Sequence, residues 1–177
     1  MIVVLSDTHA EFDPGIGGAL ARDVRRADLV VHAGDFTGEA VLDTVQDDAD
    51  RFLAVHGNAD DGSVTERLPA ARVFEEGGVR FAVTHTQRGG EMGLVYFGRE
   101  RDADVVISGH THRPLAKRVD DVLLVNPGSH AKPRGGYPTY ATLSVANGRV
   151  DGAIRSTDGT VVAAIAPEGR PVENGGR

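Results

Sequence analysis

Three short runs rich in β-branched residues, Ile2–Leu5, residues 29–31 and residues 52–55, punctuate the first third of the chain. Turn or polar residues bound each run, so they read as buried strands. Residues 16–25 and 39–45 lie between them, with apolar side chains at helical spacing. A βαβαβ order follows. It demands parallel strands joined by right-handed crossovers, which few folds satisfy.

The middle of the chain changes style. Residues 72–75 and Val79–Thr84 flank Glu76-Gly77-Gly78, a hairpin signal. A helix is predicted over residues 92–101 and a buried strand over 105–108. Two more hairpins follow, residues 116–119 with 122–125 and residues 140–145 with 149–154, the second turning at Ala146-Asn147-Gly148. A last strand is predicted over 161–165. Hairpins pair antiparallel, so the chain predicts a mixed sheet or a two-sheet sandwich with helices outside. The 177 residues suit one domain, read as 1–166. Residues 167–177 are rich in Pro, Gly and charge and read as a frayed tail.

Residues able to carry chemistry cluster where the apolar runs end. Asp7 and His9 follow the first strand, Gly34-Asp35 the second and Gly57-Asn58 the third. His85 follows Val79–Thr84, and Gly109-His110-Thr111-His112 follows residues 105–108. Loops at the carboxyl ends of parallel strands form the binding crevice of such sheets, so all five groups are expected on one rim. In an extended chain, residues two apart point to one side, which would let Asp7 and His9 meet one ion.

Composition narrows the chemistry. With no Cys, thiol nucleophiles, Cys zinc sites and disulfide scaffolds are excluded. What remains is a set of nitrogen and oxygen donors, which suits Mn, Fe, Ni, Zn or Mg, with imidazole favouring the transition metals. Seven such donors exceed the needs of one ion and suit two ions about 3.5–4 Å apart. The net charge of −7 weighs against a nucleic-acid-binding surface or an anionic membrane. No apolar run approaches the roughly 18 residues of a membrane span, and no leader is visible, so a cytoplasmic protein is expected.

Asp-x-His, Gly-Asp, Gly-Asn-x-Asp and Gly-His-x-His in this order resemble the motifs of the calcineurin-like metallophosphoesterases. The short chain and Asn126-Pro127-Gly128-Ser129 resemble their small prokaryotic phosphodiesterase branch. The resemblance spans roughly residues 1–154. It implies an α/β fold of four layers, in which two mixed β-sheets form a sandwich flanked by helices. It implies that Asp7, His9 and His112 hold a first metal, that Asn58, His85 and His110 hold a second, and that Asp35 bridges them. Mn is the favoured ion. His9, Asp35 and Asn58 would then be catalytic, Asp60 would orient Asn58 or a histidine, and Arg88 and Arg134 could contact a small phosphate-ester substrate.

Two divalent ions bring +4, and Asp7 and Asp35 return −2, so the pocket would attract a phosphate within an acidic protein. A water between two cations loses its proton near neutral pH and can attack phosphorus in line. The implied activity is phosphodiester hydrolysis. Phosphomonoester hydrolysis by the same site, and the non-catalytic protein-binding role of a eukaryotic branch of this fold, remain alternatives. Edge strands leave a homo-oligomer open.

Two departures stand out. Many family members carry His after Gly-Asn, and the small phosphodiesterase branch often has Cys; here it is Ala59, which can donate no proton. The glycine that often follows the histidine at 85 is replaced by Thr86. Of the remaining histidines, His32 is expected to pack behind the site and His130 to lie on the surface. Asn126-Pro127-Gly128 is expected to be a tight turn.

Overall fold

The computed structural model describes residues 1–134 and 136–169. Its elements run β1 (Ile2–Leu5), α1 (Gly18–Arg26), β2 (Leu29–His32), α2 (Glu39–Asp47), β3 (Phe52–Ala54), α3 (Gly62–Arg67), β4 (Ala71–Glu76) and β5 (Val79–Thr84). They continue α4 (Gly90–Arg99), β6 (Val105–Ile107), β7 (Pro114–Val119), β8 (Val122–Pro127), β9 (Thr139–Ala146), β10 (Arg149–Ser156) and β11 (Val161–Gly169).

The strands form two mixed sheets. One has the order β11-β10-β9-β1-β2-β3, the other β4-β5-β6-β8-β7. β1, β2 and β3 run parallel, as do β5, β6 and β8. The hairpins add antiparallel strands at the flanks, and β9 joins β1 antiparallel with Val4 opposite Ala141.

The period-2 pleat divides each central strand between two cores. Ile2 and Val4 of β1 face the space between the sheets, with Leu29, Val31, Phe81, Val105, Ile107 and Leu143. Val3 and Leu5 face the other way, onto Leu20 and Val24 of α1 and Val41, Leu42 and Val45 of α2. α4 covers the outer face of the second sheet through Leu94 and Val95 against Val106 and Leu124. The result is four layers, helix–sheet–sheet–helix. It explains why these strands read as unbroken apolar runs: both faces are buried.

The expected elements are present with shifts of a few residues at their ends. One helix escaped sequence reading, α3, which is only six residues long. Its signal was local: the Asp61 side chain accepts from Val64 N–H as an N-cap. The expected tail also starts too early. β11 carries pairing with β10 through Gly169, so 167–169 are strand, and 170–177 lie outside the described residues.

Candidate metal centre

The carboxyl ends of β1, β2, β3, β5 and β6 meet at the rim between the two sheets. All seven expected ligands lie there, with five close approaches among them. His9 Nε2 lies 3.1 Å from His112 Nε2, and His112 Nε2 lies 3.4 Å from Asp7 Oδ1. Asp35 Oδ2 lies 3.3 Å from His9 Nε2 on one side and 3.2 Å from His85 Nε2 on the other. Asn58 Oδ1 and His110 Nδ1 are 2.8 Å apart. Asp7, His9 and His112 form one group of donor atoms close enough to hold an ion, and Asp7, Asp35 and His85 form another.

The backbone route to this arrangement differs from the extended one expected. Asp7, His9, Asp35, His110 and His112 all have positive φ, between 43° and 72°. Asp7 and His9 therefore share a side because each sits in a left-handed turn, not because an extended chain alternates. Such backbone costs energy for any residue with a Cβ, and it persists where the surroundings over-determine it. Thr86, in contrast, does not adopt a positive φ. The Gln87 amide donates to Thr84 Oγ1 at 3.0 Å and holds the loop after β5 without a glycine.

The surroundings supply that over-determination. Asp7 accepts from Ser6 Oγ at 2.7 Å and from His110 N–H at 3.0 Å. Asp35 Oδ1 accepts from Ala59 N–H at 2.8 Å, which leaves Oδ2 for the centre. Two glycines in the motifs are required by close approach. A Cβ on Gly57 would collide with the Asp35 carboxylate, and one on Gly109 with Ser6 Oγ.

Asp60 acts differently from the expectation. Among the described residues, its carboxylate makes no hydrogen bond to Asn58 or to a histidine. It accepts from the backbone N–H groups of Gly57 (2.7 Å), Thr37 (2.8 Å) and Asp35 (3.0 Å), clamping the loops after β2 and β3 together. A side-chain carboxylate bonded to three N–H groups fits better there than beside ring nitrogens that offer lone pairs.

The histidine tautomers follow from their outer contacts. His85 Nδ1–H donates to Ala33 O at 2.8 Å, and His112 Nδ1–H donates to Lys132 O at 2.5 Å. In the neutral rings, both Nε2 atoms are thus left with lone pairs aimed inward. His85 Nε2 is buried without a hydrogen-bond partner, although Asp35 Oδ2 is close by. Lone pairs facing carboxylate oxygens repel unless a proton or a cation lies between them. This donor set, all N and O, therefore fits metal ions.

The charge states agree with a crowded, desolvated centre. Burial raises the Asp7 carboxyl above its usual range, more than its Ser6 bond lowers it. Burial pushes Asp35 up too, but His85 and the Ala59 N–H outweigh it, and its pKa ends below normal. Burial pushes His85 down, but Asp35 prevails and the net shift is upward. Burial lowers His9.

Further support comes from residues outside the ligand set. Asn126 Nδ2 donates to Gly109 O at 2.7 Å, its Oδ1 accepts from Gly128 N–H at 2.9 Å, and Ser129 Oγ donates to Asp7 O at 2.7 Å. The expected turn thus buttresses both ligand loops. His32 packs behind the centre as expected: its Nε2 meets Thr8 Oγ1 at 2.8 Å and its Nδ1 accepts from Gly34 N–H at 3.2 Å. His130, expected on the surface, is 6% exposed; its Nε2–H donates to Pro14 O at 2.8 Å. The Pro14 carbonyl satisfies one nitrogen of a ring that packing has buried; Nδ1 has no hydrogen-bond partner. Arg134 is exposed but lines a cleft with His9 and His112. Arg88 is exposed and lines neither cleft beside His85.

Residues 1–148 match the model of the calcineurin-like phosphoesterase superfamily domain. The chain belongs to that superfamily. A probable metallophosphoesterase of Methanocaldococcus jannaschii is 36% identical over 151 residues, 82% of this chain and 76% of the relative. The Escherichia coli phosphodiesterase YfcE is 29% identical over 133 residues, 71% of this chain and 68% of YfcE. Its solved structure superposes with a TM-score of 0.73 at 21% identity, covering 94% of this chain and 99% of YfcE. Vps29 of Chaetomium thermophilum has the same fold, with a TM-score of 0.81 at 19% identity over 96% of this chain and 98% of that one. Among the described residues, no helix is long and apolar enough to cross a membrane.

Proposed function

We propose that this superfamily member is a metal-dependent phosphodiesterase with two divalent ions at the rim. Asp7, His9 and His112 would hold one ion, Asn58, His85 and His110 the other, and Asp35 would bridge. The observation that carries this is the convergence of ring lone pairs on carboxylates, above all the unpartnered buried His85 Nε2 facing Asp35 Oδ2. The position of Asp35 Oδ2, within 3.3 Å of both His9 and His85, supports the bridging role. The family resemblance favours Mn; the imidazole nitrogens also suit Fe, Ni and Zn, and the carboxylates also suit Mg.

Such ions would neutralise charge on phosphoryl oxygens and acidify an attacking water. The chain's own residues fix the donors. Backbone carbonyls of Ala33 and Lys132 orient two rings, and Ser6, His110 N–H and Ala59 N–H orient two carboxylates. Pre-positioned charge of this kind supplies much of the rate enhancement in phosphoryl transfer. Ala59 offers only its backbone N–H, and Asp35 takes it, so the leaving group must depart without a side-chain acid from that position.

Diester chemistry is favoured by room on both sides of the centre. His85 lines two clefts, of about 390 and 400 Å³, while His9 and His112 line a third. A diester has two arms to place; a monoester has one. The direct test is turnover of bis(p-nitrophenyl) phosphate and p-nitrophenyl phosphate by protein titrated with Mn, beside Asp35→Ala. Metal-dependent turnover favouring the diester, and lost in the variant, is expected. A preference for the monoester would select the monoesterase reading. A metal-loaded protein inactive on both would leave a binding role like that of the Vps29 fold neighbours.

A further inference from the structure

We propose that residues 132–134 form a subsite for a second anionic group on one arm of the ester. The substrate class is then a phosphodiester that carries a further phosphate or carboxylate near the scissile phosphorus. This deepens the phosphodiesterase reading and rests on it.

The loop is built onto the centre. His112 Nδ1–H donates to Lys132 O, and Arg134 N–H donates to His112 O at 3.2 Å. Ser129 Oγ, itself donating to Asp7 O, accepts from the N–H groups of Ala131 (3.2 Å) and Lys132 (2.7 Å). The backbone of this loop is therefore fixed against two of the proposed ligands. His9, His112, Lys132, Pro133 and Arg134 line one open cleft of about 420 Å³.

The charges in that cleft are unspent. The chain has two lysines, and Lys117 is ion-paired to Glu91 at 2.6 Å. Among the described residues, no acidic side chain pairs with Lys132 or Arg134. In a chain of net charge −7, two adjacent unpaired cations beside a phosphate site select for negative charge on the substrate. The scissile phosphate itself is served by the metal centre. The Arg fork and the Lys ammonium are thus available to a second anion.

The opposite side differs. The cleft between His85 and Arg113 is also lined by Glu91 and has an apolar wall of Leu94, Pro114 and Leu115 for the leaving group. A nucleoside bisphosphate serves as the probe because its sugar holds a second phosphate at a set distance from the first.

The test uses two matched pairs on Mn-loaded protein at low ionic strength. Binding of thymidine 3′,5′-bisphosphate and of thymidine 5′-monophosphate is measured by calorimetry. Turnover of the 5′-(p-nitrophenyl) esters of the same two nucleotides is measured in parallel. The 3′-phosphate is expected to tighten binding and raise kcat/KM about tenfold in the wild type, less at higher salt. Both ratios should fall to about one in Lys132→Gln/Arg134→Gln and persist in Lys132→Arg/Arg134→Lys. Equal affinities in the wild type, or ratios untouched by the double Gln variant, would overturn the subsite. Preferential bisphosphate binding with neither ester hydrolysed would leave the subsite standing and overturn the phosphodiesterase reading instead.

Discussion

Asp7, Asp35, His85 and His112 are at most 6% exposed, whereas Asn58 and His110, across the same centre, face solvent. The floor is held by groups that cannot easily move: Ala33 and Lys132 carbonyls, the Ser6 hydroxyl and the Ala59 N–H. The rim pair Asn58 and His110 is held mainly by the contact of one side chain with the other. The lesson is that, on the proposed reading, one centre would combine a rigid half, set before any ion arrives, with a half that an arriving ion would organise. The first half should bind tightly and the second should tune activity.

The largest expected effect comes from breaking the floor at its shared carboxylate. Asp35→Ala should lower kcat by about 10³-fold or more and abolish one bound equivalent of metal, read by elemental analysis of dialysed protein. Breaking the rim instead should separate the halves. Asn58→Ala or His110→Ala should retain about one equivalent of Mn and lose about 10²-fold in kcat, with the loss partly recovered at high Mn. Equal loss of both equivalents in a rim variant would erase the distinction between the halves.

Asp60→Asn sharpens the comparison from below. It weakens the clamp on Gly57, Thr37 and Asp35 without removing a ligand. Metal affinity is expected to fall about 10–100-fold, as for other outer supports of metal ligands. Stability should fall by about 1–3 kcal/mol in urea melts of the metal-free protein.

Smaller still is the consequence of Ala59. Without a proton donor there, rates should fall steeply as the leaving-group pKa rises across a series of aryl diesters. Ala59→His should flatten that dependence by a few-fold at the poor end. A flat series in the wild type would show that no donor is missing.

These magnitudes rest on features that differ in how far the sequence shows them. The apolar runs, their order and the donor at each strand end were legible, because burial and crossover rules act within a few residues. The fold and the convergence of Asp7, Asp35, His85 and His112 could be inferred from that. The left-handed turns at Asp7 and His9 could not, since any L-residue avoids them until tertiary bonds impose them. Nor could the partners of Asp60, which are backbone groups and carry no residue identity. His130 misled because a lone histidine near a loop gives no sign that Pro14, 116 residues earlier, will bury it.

That buried ring yields the smallest prediction. Burial depresses the His130 pKa in the folded chain, so below about pH 6.5 the unfolded state binds more protons. Its contribution to stability is therefore lost as pH falls. The gap in melting temperature between His130→Gln and wild type should narrow from pH 7.5 to pH 5.5.

The central claim is that two ions share Asp35. Anomalous diffraction from crystals of the Mn-loaded protein tests it most directly. Two peaks are expected, one among Asp7, His9 and His112 and one among Asn58, His85 and His110, with Asp35 contacting both. A single peak at full Mn loading, or two that do not share Asp35, would contradict it.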